Sequence, residues 1–231
     1  MNGFTFRSAT DADLDALVRL EESIEAGLPN REMFATDGRS FYEPIVGGKG
    51  HIILAEDGAG ELAGAAVIRY PGIDDPENLG LALGLSGDAL TTVYHLESAF
   101  IRPDCQGKRL ADEMTRRNMI HAQAQGYSLA MATAWPGNAP SLTVLLRLGL
   151  VIRAFALKYG GRPRFVLSDN APATRQDVQP VYVDALDFET HARILSGNML
   201  GTSLRKTPGR DKAERQPGAA FAPFEIGYLP W

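Results

Sequence analysis

One segment of the sequence constrains the fold more than any other, because a long strand pattern passes through a short loop into a helix pattern. The segment ALTTVYHLESAFIR, residues 89–102, is rich in β-branched and aromatic residues, which favours a strand. Pro103 ends this strand because it has no backbone N–H to donate to a neighbouring strand. A helix is predicted to begin at Lys108 or Arg109 and to end at Gln125. A strand followed directly by a helix indicates an α/β protein.

The remaining patterns alternate in the same way up to about residue 170. Alternating apolar segments predict strands and 3.6-residue apolar repeats predict helices, in the order β-α-(α)-β-β-β-α-β-α-β-β. The last of these helices is expected to begin at Asn138 as its cap, with Pro140 in its first turn. This order predicts a mixed sheet with helices on both faces.

The composition of the sequence changes after Asn170. APATRQDVQP is typical of a linker, VYVDALDFETHARIL predicts a strand and a short helix, and residues 197–220 are expected to be irregular. We therefore predict a domain over residues 1–170 and a partly irregular C-terminal extension over residues 171–231. The aromatic segment FAPFEIGYLPW is expected to pack on its own domain or on a partner subunit, which would give a homodimer through the extension.

Charge and cysteine content exclude several classes of protein. The net charge of -5 argues against a nucleic-acid partner, whose binding surface is usually basic. The single cysteine, Cys105, cannot form an internal disulfide, and no pair of the four histidines has metal-ligand spacing. The sequence shows neither a signal-peptide pattern nor a membrane-spanning apolar run. A cytoplasmic protein with no metal and no membrane segment is the expectation.

The loop PDCQGKRLADEM has the features of an anion-binding turn. A helix N-terminus has backbone N–H groups without helical partners and carries partial positive charge. Gly107 gives the loop flexibility, and Lys108 and Arg109 add formal charge. A solvated basic turn would show the same residues, so the loop alone leaves both interpretations open.

The wider sequence resembles the GNAT superfamily of acyl-CoA-dependent N-acyltransferases. The pyrophosphate-binding motif of that family, Q/R-x-x-G-x-G/A, aligns with Gln106 to Ala111, with Arg109 at the first motif glycine. A second motif, N-x-x-A/S-x-x-x-Y-x-x-x-G-F, matches at Asn138, Ser141 and Gly149. The segments ENLG, HLES, PGNAPS and YGGRPR resemble a GNAT subgroup of unknown substrate. The resemblance covers about residues 1–170 and implies a mixed, mostly antiparallel, twisted sheet of about seven strands.

The resemblance implies acetyl-CoA, or another acyl-CoA, as cofactor. Backbone amides of the loop would bind the pyrophosphate, and the end of the preceding strand would lie beside the acyl group and stabilise the developing oxyanion. The expected cofactor-binding residues are Ala99, Phe100, Ile101, Gln106, Gly107, Lys108, Arg109, Leu110, Ala111, Asn138 and Ser141.

The implied reaction is direct attack of a small-molecule amine on the thioester, assisted by a general base. Glu97 is the first candidate, or else a structural carboxylate that pairs with an arginine. His95 is a second candidate, or else a hydrogen-bonded core histidine. Leu145 occupies the position of the family tyrosine that protonates the leaving thiolate, so Tyr159, Ser141 or solvent would have to replace it.

Two residues near the cofactor loop need their own predictions. We expect Arg109 to keep ordinary helical φ/ψ angles and to turn outward, either towards the cofactor phosphates or into solvent. Cys105 is expected to be a bystander thiol rather than a nucleophile.

The acceptor side is expected to be acidic, which suits a cationic amine. The segments that would form it are Asn30 to Pro44 and the loop PGIDDPENLG, which contribute Glu43, Asp74, Asp75 and Glu77. Two alternatives remain beside an active acetyltransferase. One is a catalytically impaired GNAT-fold protein that binds acyl-CoA as a sensor or interaction module, and the other is a transferase for a longer acyl chain.

Overall fold

The computed structural model describes residues 3–27, 37–208 and 223–231. These residues form two compact units, divided in the chain between Ala130 and Met131. Each unit builds its core from antiparallel strands and helices, as the following paragraphs describe. The domain boundary predicted near residue 170 stays a prediction.

The first unit contains four strands, which pair in the order of the sequence. They are β1 (Thr5–Ser8), β2 (Gly50–Glu56), β3 (Leu62–Arg69) and β4 (Val93–Ile101). Each neighbouring pair is antiparallel. The strand predicted over residues 89–102 is shorter than expected, because residues 87–92 form a 3-10 helix before β4 begins.

Helices cover both faces of the sheet in the first unit, as predicted. They are α1 (Leu14–Ala26), α2 (Arg39–Pro44) and α3 (Leu110–Ala124). Successive side chains of a strand point to opposite faces. Ile52 and Leu54 of β2 therefore pack in the cluster that contains residues of α1 and α2, whereas Ile53 and Ala55 pack in the cluster that contains residues of α3.

The second unit is also built from antiparallel pairs. Its strands are β5 (Leu129–Ala134, which crosses the division in the chain), β6 (Val151–Lys158), β7 (Arg162–Ser168), β8 (Val181–Asp184), β9 (Met199–Lys206) and β10 (Phe224–Pro230). They are hydrogen-bonded in the order β5-β7-β6-β9-β10-β8. Its helices are α4 (Ala139–Arg147) and α5 (Phe188–Leu195).

The α/β class with mostly antiparallel strands is confirmed, but the number of strands is larger than predicted. Ten strands are described instead of about seven, because β8, β9 and β10 of the extension add to the others. Residues 199–206, predicted to be irregular, form β9, which pairs with β10 and contacts β6 at Ile152 and Gly201. Pairing with neighbours overrides a weak local strand pattern. Residues 209–222 of the predicted irregular segment lie outside the described residues.

Candidate functional site

The loop between β4 and α3 is fixed to the turn that joins β2 and β3. The Arg102 guanidinium donates to Asp57 Oδ2 at 2.6 Å, to the Leu62 carbonyl at 3.2 Å and to Asp104 Oδ1 at 2.7 Å. Cys105 is 2% exposed and packs in the same apolar cluster as Met114 of α3. A thiol in this setting is consistent with the predicted bystander role.

The loop backbone is left-handed at two residues, which corrects the prediction for Arg109. Gly107 has φ 76° and Arg109 has φ 60° and ψ 26°, so Arg109 does not have the expected helical angles. Arg109 is the N-cap of α3, and its carbonyl accepts from the Glu113 amide at 3.2 Å. The residue takes the conformation that glycine would take at this motif position. A non-glycine residue there costs about 1 kcal/mol, which the packing around the loop must offset.

The start of α3 leaves backbone donors without helical partners, directly after an exposed loop. The amides of the first helical turn, at Leu110 and Ala111, have no preceding helical carbonyl to bond. They add to the positive end of a 15-residue helix. Residues 106–109 before this turn are exposed, Ala111 is half-buried and Leu110 is buried.

The side chains of the loop differ in how they are held. Lys108 Nζ donates to the Asp104 carbonyl at 3.2 Å and lies 5.2 Å from the centre of the Phe4 ring. Gln106 Nε2 lies 3.4 Å from the Ile101 carbonyl. Within the described ranges the Arg109 side chain has no hydrogen-bond or ion-pair partner, so its guanidinium is available to a ligand or to solvent. The predicted outward direction towards phosphate therefore stays a prediction.

Substitution of Arg109 tests the left-handed conformation. Arg109→Gly is expected to be more stable than Arg109→Ala by about 1 kcal/mol, because only glycine takes a positive φ without steric cost. Urea unfolding of both variants measures the difference. Arg116, exposed within α3, gives the matched control, and there the alanine variant is expected to be more stable by about 1 kcal/mol. The same order at both positions would contradict the left-handed assignment.

The strand β4 contains a β-bulge at Glu97. Val67 of β3 pairs with Ser98 and Ile68 pairs with Leu96, so Glu97 has no partner in the register. Ala99, Phe100 and Ile101 follow in regular pairing, with Ala99 exposed and Phe100 buried. A bulge redirects side chains and is frequent beside active sites.

Glu97 and His95 lie together, in a network centred on Arg69 of β3. Arg69 Nε donates to Glu97 Oε1 at 2.6 Å, and Arg69 also forms an ion pair with Asp75. His95 Nδ1 lies 3.2 Å from the same Glu97 oxygen. The alternative interpretation of Glu97, a carboxylate that pairs with an arginine, therefore describes its contacts. Whether it also acts as a base remains a prediction.

Hydrogen bonds assign the protonated nitrogen of His95. The Leu79 amide donates to Nε2 at 3.0 Å, so Nε2 is the acceptor and Nδ1 carries the proton that Glu97 accepts. Arg69 Nη2 lies 3.2 Å from the same Nδ1, but it cannot donate to a protonated nitrogen and its own partner is the carboxylate. The ring is 2% exposed. Since both nitrogens have protein partners, this geometry suits a histidine that positions Glu97 and the ENLG segment.

The network keeps Glu97 ionised. Burial acts to raise the pKa of Glu97, but the hydrogen bond from His95 and the charge of Arg69 outweigh it and hold that pKa below its usual range. A carboxylate stabilised in this way accepts a hydrogen bond well and accepts a proton poorly.

A second buried carboxylate, Glu21 of α1, was missed by the sequence analysis. It is 0% exposed and accepts hydrogen bonds from the Asp37 amide at 3.0 Å, the Gly38 amide at 3.2 Å and the Tyr42 hydroxyl at 2.5 Å. The available signal was its position four residues after Leu17, on the apolar face of the helix.

The predicted acidic side is partly neutralised within the protein. Glu43 pairs with Arg39 at 2.7 Å, and Asp75 pairs with Arg69 and accepts from the Glu77 amide at 2.8 Å. Residues 30–36 of the predicted acceptor segment lie outside the described residues.

The other predicted site residues belong to the second unit. Asn138 caps α4 by accepting from the Ser141 amide at 3.1 Å, as predicted. Tyr159 lies in the turn between β6 and β7 with φ 51°, is 51% exposed, and has its hydroxyl 3.2 Å from Thr133 Oγ1. Leu145 is buried in its unit. The catalytic role of Tyr159 and the cofactor roles of Asn138 and Ser141 stay predictions.

The described ranges contain neither a metal-binding cluster nor a helix that could span a membrane. No group of three or more His, Cys, Asp or Glu side chains there is arranged to hold a metal ion. No helix in the same ranges is both long and apolar enough to cross a membrane.

The fold is similar to that of known acetyltransferases. No protein-family model and no curated protein matches the sequence. Among solved structures, yncA of Salmonella typhimurium, with its cofactor acetyl-CoA, is 20% identical with a TM-score of 0.53, covering 77% of this chain and 100% of its own. A GNAT superfamily phosphinothricin acetyltransferase from Sinorhizobium meliloti, in complex with AcCoA, is 18% identical with a TM-score of 0.53, covering 72% of this chain and 87% of its own. A GNAT-family acetyltransferase from Streptococcus pneumoniae is 15% identical with a TM-score of 0.54, covering 71% of this chain and 98% of its own. The chain therefore has the GNAT fold, as the sequence motifs implied.

Proposed function

We propose that the protein transfers an acetyl group from acetyl-CoA to an amine of a small molecule. The observation that carries this proposal is the loop before α3, where Arg109 takes the left-handed conformation of the motif glycine and the first amides of the helix have no helical partner. Two structural neighbours, the Salmonella typhimurium and Sinorhizobium meliloti proteins, were solved with acetyl-CoA, which supports the same cofactor here.

The loop is proposed to bind the cofactor through its backbone. The amides from Gly107 to Ala111 suit the pyrophosphate oxygens, and Arg109 has a guanidinium available for a phosphate. Ala99, Phe100 and Ile101 would follow the acyl arm along β4. The resemblance extends the set to Gln106, Lys108, Leu110, Asn138 and Ser141.

The proposed chemistry needs only the thioester and a neutral amine. The amine nitrogen attacks the thioester carbonyl carbon, and a tetrahedral intermediate carries the negative charge on oxygen. The C–S bond then breaks, the thiolate leaves with the electron pair, and the nitrogen loses one proton. A free thiol has a pKa near 8.5, so the thiolate leaves without a dedicated acid at the Leu145 position. Tyr159 or solvent remains the proposed proton source.

The network of His95, Glu97 and Arg69 is proposed to form the floor of the acceptor side. The ionised Glu97 carboxylate could accept a hydrogen bond from the incoming amine while Arg69 keeps its position fixed. His95 holds the carboxylate from the other side through Nδ1–H. The base role predicted for Glu97 stays a prediction.

A matched pair of substitutions at Ala111 tests the cofactor site. Ala111→Glu places a negative charge beside the proposed pyrophosphate position, whereas Ala111→Gln adds a neutral side chain of similar size. We expect acetyl-CoA to bind at least about tenfold more weakly to the glutamate variant than to the glutamine variant, and the difference to shrink as salt is added.

Isothermal titration calorimetry with acetyl-CoA measures both affinities, and release of the CoA thiol with a panel of primary amines measures turnover. Equal affinities for the two variants would contradict pyrophosphate binding at this helix end. Acetyl-CoA binding by the wild type without turnover on any amine would favour the alternative, an acyl-CoA-binding sensor or interaction module.

A further inference from the structure

Three side chains outside the site described above form a hydrogen-bonded triad on the face of the first unit's sheet that α3 covers. They are Ser8 at the end of β1, His51 near the start of β2 and Asn118 of α3. Ser8 Oγ lies 2.8 Å from His51 Nε2, and His51 Nδ1 lies 2.8 Å from Asn118 Oδ1. A hydroxyl, an imidazole and a third group that orients the imidazole are the parts of an activated serine nucleophile.

The hydrogen bonds of Asn118 fix the direction of the triad. Its amide nitrogen Nδ2 donates to the Ala66 carbonyl of β3 at 2.8 Å, so Oδ1 faces the imidazole. Because Oδ1 can only accept, His51 Nδ1 carries the ring proton. Nε2 is then the acceptor, and the Ser8 hydroxyl donates to it. This is the tautomer in which Nε2 can take the proton of a serine.

The triad runs from the core of the first unit to its surface. Asn118 is 0% exposed, His51 is half-buried and Ser8 is exposed. The orienting amide is thus held by the packing of α3 against the sheet, whereas the hydroxyl can meet a molecule from solution. A nucleophile needs both a fixed base and an accessible reacting atom.

His121 of α3 covers the imidazole of His51. The two rings are stacked, with their centroids 3.7 Å apart and their planes at 10°. Burial, followed by the charge of His51, lowers the pKa of His121, so His121 is uncharged at neutral pH. The His121 ring therefore fixes the plane of His51 and does not oppose the positive charge that His51 gains with a proton.

The same face of β1 carries an apolar ring with a cation over it. Phe6 precedes Ser8 by two residues in the strand, so both side chains point to one face. The Arg117 guanidinium lies 4.6 Å from the centre of the half-buried Phe6 ring, and its Nε donates to Glu113 at 2.8 Å. An apolar ring and a cation suit the acyl group of an ester and the negative charge that its carbonyl oxygen gains during attack.

The triad is separate from the loop before α3, although both involve this helix. Asn118 lies more than two turns after Leu110, about 12 Å along the helix axis. His51 lies near the start of β2, whereas Asp57, which holds that loop through Arg102, follows the end of β2 about 20 Å along the strand. Chemistry at Ser8 would therefore not use the proposed acetyl-CoA site.

We propose that Ser8 and His51, positioned by Asn118, form a second catalytic site that hydrolyses esters of small carboxylic acids. Ser8 Oγ attacks the ester carbonyl carbon while its proton passes to His51 Nε2. The C–O bond to the alcohol breaks, and His51 gives that proton to the leaving oxygen. Water then attacks the acylated Ser8 and gives one proton to His51. The carboxylic acid leaves, and Ser8 Oγ takes that proton back.

Covalent labelling tests the nucleophile. A fluorophosphonate should modify the wild type, and peptide mapping by mass spectrometry should place the label on Ser8. Ser8→Ala, which changes an exposed side chain, should lose this label and keep the wild-type midpoint of urea unfolding. Ser23→Ala is the matched control, because Ser23 is also exposed but its hydroxyl donates to the Leu20 carbonyl at 2.8 Å. This variant should be labelled like the wild type.

Hydrolysis of p-nitrophenyl acetate tests the base. His51→Gln keeps a side chain that can form hydrogen bonds but cannot take a proton, so the rates of hydrolysis and labelling should both fall at least about 100-fold. His121→Phe keeps a ring stacked on His51 without a titratable nitrogen, and it should lower both rates far less. Urea unfolding of each variant shows that a lost rate is not a lost fold.

These outcomes are independent of acetyl-CoA turnover. Labelling and hydrolysis that require both Ser8 and His51 would support the second site. A wild type that hydrolyses the ester no faster than Ser8→Ala, or that carries the label on another residue, would overturn it. Equal rates in His51→Gln and the wild type would also overturn it, and would leave the triad as a structural link between β1, β2 and α3.

Discussion

Arg69→Met is expected to lower the free energy of unfolding by about 3 kcal/mol, because it leaves two carboxylates without their common cation. The side chains of Arg69 and Glu97 are only 22% and 18% exposed, so water replaces the lost partner incompletely. Methionine keeps most of the aliphatic volume of arginine. The expected loss of stability is therefore caused mainly by the lost charge and not by a new cavity. We also expect acetyl-CoA turnover to fall, since Glu97 would no longer be held in one position.

Urea unfolding measures this change, and a double-mutant cycle identifies its cause. Arg69→Met combined with Glu97→Gln should be less destabilised than the sum of the two single variants, because the unpaired charge is then removed as well. Arg175→Met is the surface control, since its ion pair with Asp177 is 60% and 65% exposed, and it should change stability by less than about 0.5 kcal/mol. Additive effects of Arg69→Met and Glu97→Gln would contradict the network.

Glu21→Gln is expected to cost about 2 kcal/mol of unfolding free energy although it changes the shape of the side chain very little. The carboxylate accepts three hydrogen bonds, whereas the glutamine amide offers one acceptor oxygen and turns N–H donors towards other donors. One or more of the Asp37, Gly38 and Tyr42 donors then loses a charged acceptor in a buried place.

Hydrogen exchange at individual amides localises this effect. The Asp37 and Gly38 amides should exchange faster in Glu21→Gln, and Glu22→Gln should change neither exchange nor stability by more than about 0.5 kcal/mol. Unchanged protection at both amides in Glu21→Gln would show that the carboxylate does not clamp the entry into α2.

Short-range sequence signals predicted most of the fold. The strand, loop and helix around Pro103, the cap at Asn138 and the order of elements up to residue 170 depend on residues that are close in sequence. For the same reason the sequence correctly placed a loop between β4 and α3, and the cofactor role of that loop stays a prediction. The loop conformation was wrong because the residue type at Arg109 favours helical angles, whereas the path from β4 into α3 requires a left-handed residue.

Contacts between distant parts of the sequence explain what was missed. The pairing of Glu97 with Arg69 depends on the register of β3 against β4 and on the bulge that shifts it. The clamp at Asp37 and Gly38 depends on a glutamate in α1 that is far from both in the sequence. Neither the bulge nor this contact follows from a local pattern, so neither was predictable from the sequence.

The strand order in the second unit also affects how the protein folds as it is synthesised. Strand β10 lies between β9 and β8, and in the described part of the chain β8 pairs with β10 alone. The ribosome therefore makes β8 about forty residues before the strand that satisfies its hydrogen bonds. Until then both edges of β8 lack a partner strand, and they can pair with strands of other nascent chains. This unit is thus expected to be completed only after β10 has been made, later than the first unit, whose strands pair in the order in which they are made.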